Sequence, residues 1–211
     1  MVYLTSSLPV LLAALTTLTT SSIIPLNTRT PPNIPSPAEA RSLLSAITVA
    51  PQGLQDGYSR DLFPHWITIQ GACSTRETVL KRDGTNVNVG NDCYPSSGSW
   101  YSAYDGAIWT KASDLDIDHM VPLSNAWKSG AAAWTTEKRK EFANDLVNPQ
   151  LLAVTDNVNQ EKSDSGPEAW KPPLQTYHCE YARMWVKVKS FYELTITDPE
   201  KSALADMLDT C

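Results

Sequence analysis

The 211-residue chain contains no Cys-x-x-Cys pair, which argues against a zinc ribbon. Neither Gly-x-Ser-x-Gly nor His-Glu-x-x-His occurs, so esterase and zinc-protease chemistry have no support. There is no Asn-x-Ser/Thr sequon and no internal repeat, the latter excluding solenoids and propellers. Beyond the N-terminus no segment is apolar enough to span a bilayer. Positive charge is also short: 17 Lys and Arg stand against 23 Asp and Glu, a net charge of −6. That balance argues against a protein that binds polyanions through a broad basic face. Any phosphate chemistry here must be local, drawing on a metal ion and a few cations.

What is present begins with an uncharged stretch, Met1 to Ser22, whose apolar centre runs from Leu8 to Leu18. It resembles a secretory signal peptide over about residues 1–20, although the basic residues that usually open one are missing. Pro25, Pro31, Pro32, Pro35 and Pro37 then mark an extended linker over residues 21–37. The remainder, 38–211, is long enough for one domain with a core of its own, and seven Trp and eight Tyr supply large apolar surfaces. Four cysteines allow three pairings, or four unpaired core thiols. Cys73–Cys93 with Cys179–Cys211 is the favoured pairing, because each closes one local unit.

Periodicity predicts helices over 38–49, 73–82, 136–146 and 156–162, a long one from Tyr177 to Tyr192, and a last one starting at Pro199 with Asp198 as cap. Asp83-Gly84 reads as a turn, and Tyr104-Asp105-Gly106 as the tip of a hairpin. Strands are expected around Val87–Val89, over Leu115–Leu123 with one buried face, and over Leu151–Val154.

Three segments carry chemistry: Asp116-Ile117-Asp118-His119-Met120-Val121-Pro122-Leu123, Asn148-Pro149-Gln150-Leu151-Leu152, and Thr155-Asp156-Asn157-Val158-Asn159-Gln160-Glu161-Lys162-Ser163-Asp164. Phosphodiester hydrolysis needs an activated water and a counter-charge for the crowded phosphorane. Histidine is the natural base near neutral pH, and a divalent cation supplies the charge. Adjacent strand residues point to opposite faces, so Asp118 and His119 can share a site only where a strand ends; Pro122 suits such an end. Alone, an Asp-His pair is more often a salt pair or a strand end. His65 and His178 read first as packed histidines, and Trp127, Trp134, Trp170 and Trp185 as core.

Together these segments resemble the HNH, or ββα-metal (His-Me finger), nucleases. More closely, they are similar to the HNH-type domain of secreted fungal and actinomycete proteins related to the C-terminal domain of GmrSD-type restriction enzymes. Gly57-Tyr58-Ser59-Arg60, Cys73-Ser74-Thr75-Arg76-Glu77, Asn144-Asp145 and Gly166-Pro167-x-x-Trp170-x-Pro172-Pro173 extend the likeness over about residues 54–211. The resemblance implies an α+β fold, a metal finger at about 115–164 embedded in a mostly helical single domain. It implies His119 as general base, Asp118 and Asn159 as metal ligands, and Asn148 as the residue that positions base or phosphate. Arg76 would contact phosphate, Glu77 would ligate metal or hold Arg76, and Lys162 would be a further phosphate contact. The second His of zinc-bearing members is missing; Asn159 stands there and favours Mg²⁺, with Mn²⁺ as the alternative. The implied activity is a secreted, monomeric endonuclease of low sequence specificity, acting on DNA before RNA and away from membranes. The competing function is a secreted effector or binding protein that keeps the fold without hydrolysis.

Overall fold

The computed structural model describes Met1 and residues 30–211. The expected leader past Met1, and the proline-rich stretch up to residue 29, lie outside the described residues. From residue 30 the chain lies down on the domain. Pro31 and Pro35 are buried and Ile34 packs on the core. Arg183 Nε donates to the Pro35 carbonyl at 2.6 Å, and Asn33 Nδ2 donates to the Val147 carbonyl at 2.9 Å. An extended Pro-rich segment has no internal hydrogen bonds, so its polar groups are met by the domain.

The fold is mixed α+β, with seven helices and three small antiparallel sheets among the described residues. The main core gathers around helix α6 (His178–Phe191), with α1 (Pro37–Ala46) and α7 (Asp198–Leu208) against it. Tyr181, Met184, Trp185 and Val188 recur on one face of α6 and are fully buried. Burying residues such as Met184 and Val188 stabilises by about 1.5–3 kcal/mol each. Beneath this stripe two polar side chains are matched: Trp185 Nε1 donates to Glu200 Oε1 at 2.7 Å, and buried Lys189 lies 3.1 Å from the same oxygen. Lys189 also reaches Asn125 Oδ1, Ser129 Oγ and the Thr195 carbonyl, which satisfies an ammonium that could not otherwise be buried.

A second, smaller core lies between helix α2 (Thr75–Asp83) and the sheet of β3 (Gly84–Val89), β4 (Pro95–Tyr101) and β5 (Ile108–Trp109). Trp100 fills it, its indole N–H donating to the Leu80 carbonyl at 2.7 Å. Strands β6 (Leu115–His119) and β7 (Leu151–Thr155) form a two-stranded ribbon between the two cores. Their register pairs Asp118 with Leu152 and His119 with Leu151. Directly opposed residues share a face. Thus Leu115, Ile117, Leu151 and Ala153 look onto the small core, while Leu152 and Val154 look onto the main one. Helix α5 (Asp156–Lys162) follows β7 without a break; helices α3 (Leu123–Lys128) and α4 (Thr136–Ala143) lie in the connection between the strands.

Several expectations are corrected. Residues Cys73–Ser74 are not helical: they form β2, paired with β1 (Thr68–Gln70), and Ser74 is the N-cap of α2. Asp83-Gly84 is not a reversing turn, since α2 passes straight into β3 with Gly84 at φ −92°. Glycine is needed there for space: a Cβ would sit 2.4 Å from Val87 Cγ2 and 2.5 Å from Trp100 Nε1. Helix α4 stops at Ala143 because the Asn144 side chain binds the Pro64 and Lys140 carbonyls instead of solvent. The cap of α7 is Thr197, which accepts from the Glu200 N–H, and not Asp198. Strand β6 is buried on both faces and ends at His119. Both cystines, Cys73–Cys93 and Cys179–Cys211, are present. No helix among the described residues is long and apolar enough to cross a membrane.

Candidate active site

Beta strand β6 ends where the ladder is taken over by a side chain. Fully buried Gln150 accepts from the Val121 N–H at 3.1 Å and donates to the Val121 carbonyl at 2.9 Å. Alternation holds through Asp118 and His119, which pair with Leu152 and Leu151 and turn to opposite faces, yet both border one pocket of about 330 Å³ just where the strand ends. Arg60, Pro122, Asn159 and Asp164 share its wall.

His119 is 5 % exposed. Its Nε2 lies 2.9 Å from the Ala143 carbonyl. A carbonyl only accepts, so Nε2 carries the proton and Nδ1 is left as the lone pair. The Trp66 ring stacks over the imidazole, 5.2 Å away and tilted 30°. Burial pushes the pKa of His119 down to about 3, against the pull of the Ala143 carbonyl; Arg60, His65 and Lys162 lower it further. The ring is neutral at pH 7.

Asp118 points the other way, toward the main core. Its Oδ1 accepts from Lys162 Nζ at 2.9 Å and its Oδ2 from the Tyr104 hydroxyl at 2.5 Å. Lys162 is fully buried and donates also to the His119 carbonyl at 3.0 Å, with the Trp185 ring 5.9 Å away. Burial raises the Asp118 pKa and lowers that of Lys162; each partner's charge opposes the shift of the other. Asn159 Nδ2 donates to Asp116 Oδ2 at 3.2 Å, which leaves its Oδ1 as an open acceptor.

Other candidates stand elsewhere. Asn148 donates from Nδ2 to Asp145 Oδ2 at 2.9 Å and shapes the turn before β7, outside the pocket wall. Arg76 donates to the carbonyls of Leu115 (2.9 Å) and Ala112 (3.3 Å), tying α2 to the start of β6. Glu77 accepts from the N–H of Ser74 at 3.0 Å and from its hydroxyl, capping α2. None of the three lines the pocket. Sequence reasoning passed over Tyr104, Trp66 and Gln150, and gave Arg60 no role. Of these, Gln150 in the segment that begins at Asn148 and Arg60 in the Tyr58-Ser59-Arg60 motif carried a signal that could have been followed.

A hard divalent cation takes oxygen ligands and keeps several waters, so one carboxylate and one amide oxygen suit it. Asp118 and Asn159 are of those two donor types, and both border the pocket. A carboxylate offers about four lone-pair sites, and Lys162 and Tyr104 use two of those on Asp118. The ammonium of Lys162 at 2.9 Å weakens the attraction for a second cation. Among the described residues no group of three or more His, Cys, Asp or Glu is arranged to hold a metal.

The class is thus a mixed α+β domain with a buried histidine at the end of a strand, in a strand–strand–helix unit. Residues 77–207 match the family described as GmrSD restriction endonucleases, C-terminal domain, and the chain belongs to that family. It is 68% identical over 200 residues to an "Uncharacterized secreted protein" of Arthroderma benhamiae, covering 95% of this chain and 96% of the relative. No solved structure matches.

Proposed function

We propose that the protein is a secreted, metal-dependent endonuclease that hydrolyses phosphodiester bonds, of DNA in preference to RNA, with low sequence specificity and as a monomer. In this reading β6, β7 and α5 are the ββα finger. The observation that carries it is the state of His119: neutral, pinned at Nε2 by the Ala143 carbonyl, with Nδ1 left for a water in a pocket shared with Asp118 and Asn159. Family membership supports nuclease activity. The name of the Arthroderma benhamiae relative, the two cystines and the apolar leader support export.

His119 Nδ1 takes a proton from water as the water oxygen bonds to phosphorus. The bond from phosphorus to the 3′-oxygen breaks, and the departing 3′-alkoxide takes a proton from a solvent water while His119 returns its proton to solvent, leaving a 5′-phosphate and a 3′-hydroxyl. A base held near 3 is weak, but the anionic phosphate brought by substrate moves it back up. Lys162 and Tyr104 fix the Asp118 carboxylate, and Asp116 fixes Asn159. A divalent cation, Mg²⁺ or Mn²⁺, held by Asp118 and Asn159 would neutralise charge on the phosphorane and the leaving oxygen.

The test is nicking of supercoiled plasmid by purified protein. Nicking with Mg²⁺ that is lost in EDTA and in His119→Ala is the expected result; equal inertness of wild type and His119→Ala across several divalent metals would refute it. A second reading, a secreted binding protein without hydrolysis, is favoured by the Lys162–Asp118 ion pair, which occupies the one well-placed carboxylate.

A further inference from the structure

Arg60 begins the short helical turn Arg60–Leu62 and stands, exposed, in the wall of the His119 pocket. Its Nε donates to His65 Nε2 at 3.3 Å. His65 Nδ1 lies 2.8 Å from the Phe63 carbonyl. The carbonyl can only accept, so Nδ1 carries the proton and Nε2 is the acceptor that Arg60 meets. His65 thus turns an acceptor nitrogen to the guanidinium, and Nη1 and Nη2 of Arg60 keep no hydrogen bond or ion pair among the described residues.

The loop that carries this pair is fixed. Ser59 caps the turn by accepting from the Asp61 N–H. The Leu62 carbonyl accepts from Arg139 Nε at 2.9 Å and the Pro64 carbonyl from Asn144 Nδ2 at 2.7 Å. Arg139 lies in α4 and Asn144 directly follows it; the Ala143 carbonyl between them holds His119. Base and guanidinium therefore ride on one body. Trp66 joins them, stacking on His119 and meeting His65 edge-on at 5.5 Å. It does so at φ +55°, a strained conformation for an aromatic residue that persists only where surrounding contacts impose it. The neighbouring arginines are otherwise engaged: Arg76 and Arg139 on backbone carbonyls, Arg82 on Asp83.

Building on the nuclease reading, we propose that Arg60 grips the non-bridging oxygens of the phosphate presented to His119, and that His65 is the residue that positions it. A guanidinium fork with both Nη groups open matches two phosphate oxygens, and one such contact is what an acidic chain can supply locally.

The test separates binding from cleavage. Binding of a fluorescent oligonucleotide to the His119→Ala protein in EDTA reads the phosphate contact whether or not the chain is a nuclease. Arg60→Ala in that background weakens binding about tenfold. It also makes log K against log[salt] less steep by about 0.7–0.9. Lys111→Ala, which removes an exposed charge outside the pocket, leaves both unchanged. In the cleaving protein, added guanidinium restores part of the activity lost in Arg60→Ala. His65→Ala lowers kcat/KM, and His65→Gln, whose amide oxygen can accept from Arg60 Nε, recovers it. Unchanged affinity and salt slope in Arg60→Ala would overturn the assignment; equal loss in His65→Gln and His65→Ala would overturn the positioning role. Weakened binding in a wild type that never cleaves would keep Arg60 as the phosphate contact and remove the nuclease reading instead.

Discussion

Replacing Lys162 with Met removes an ammonium that is 0% exposed and bonded to Asp118 Oδ1 at 2.9 Å and the His119 carbonyl at 3.0 Å. Methionine is similar in length and packs against Trp185, so little volume is lost. What remains is a buried carboxylate with one neutral donor, Tyr104. Breaking a buried pair in this way destabilises by about 3–5 kcal/mol. At about 2–4 °C per kcal/mol for a domain of this size, the melting temperature falls by roughly 6–20 °C. Adding Asp118→Asn removes the orphaned charge while the Asn oxygen still accepts from Tyr104. The double variant therefore recovers most of the loss. The assay is urea unfolding followed by Trp fluorescence with the cystines intact, on wild type, both single variants and the double variant. A Lys162→Met cost under about 1 kcal/mol, or a double variant as unstable as the sum of the two singles, would refute the ion pair as the element that fixes Asp118.

Stability should also depend on pH through His119. Its folded pKa, about 3, lies below the ordinary 6.5, so the unfolded chain takes up this proton first as pH falls. The contribution is full above pH 6.5 and declines toward pH 3. From pH 6.5 to 4.5 wild type should lose about 2–3 kcal/mol more than His119→Gln, which can still donate to the Ala143 carbonyl; equal slopes in urea unfolding would contradict the neutral buried ring. Removing the Cys179–Cys211 cystine by paired Ser substitutions should cost about 3.7 kcal/mol and the Cys73–Cys93 cystine about 3.3 kcal/mol, in the order of the loops of 32 and 20 residues they close. Unfolding midpoints of the two variants in the reverse order would contradict loop closure as the cause. Oligonucleotide binding should show a shallow salt slope of about −1 to −2, from one or two phosphate contacts; a slope near −5 would require a basic surface that a net charge of −6 does not suggest.

Elements set by local pattern were legible in the sequence. Strand β7 and helix α5 fall within a residue of expectation, because a short apolar run followed at once by a polar segment has few other uses. The stripe of α6 was legible from its spacing, and the cystines from the units they close. Features set by tertiary contact were not. Lys162 in the last turn of α5 reads as a solvated lysine or a phosphate contact, and only the packing of α5 beside β6 and Trp185 makes it the buried partner of Asp118. Arg76 looks like a phosphate-binding residue by motif, yet α2 lies against the start of β6, where two carbonyls claim it. Arg60 lies in an irregular loop without periodicity, and its place at the pocket comes from α4, far along the chain.

This division bears on how an acidic chain could act on a polyanion. A charge of −6 repels nucleic acid at long range, but at physiological ionic strength that repulsion is screened beyond about 8 Å. Inside the pocket the balance differs. Lys162 neutralises Asp118 from within the core, so the wall toward substrate presents a neutral imidazole, an amide and the exposed fork of Arg60, with Asp164 as the remaining carboxylate. Burying the lysine offsets one of the two carboxylates that border the pocket without placing a mobile lysine side chain in the path of substrate. The core of the domain and the electrostatics of the pocket are then one arrangement, which is why a substitution at Lys162 should be felt in both.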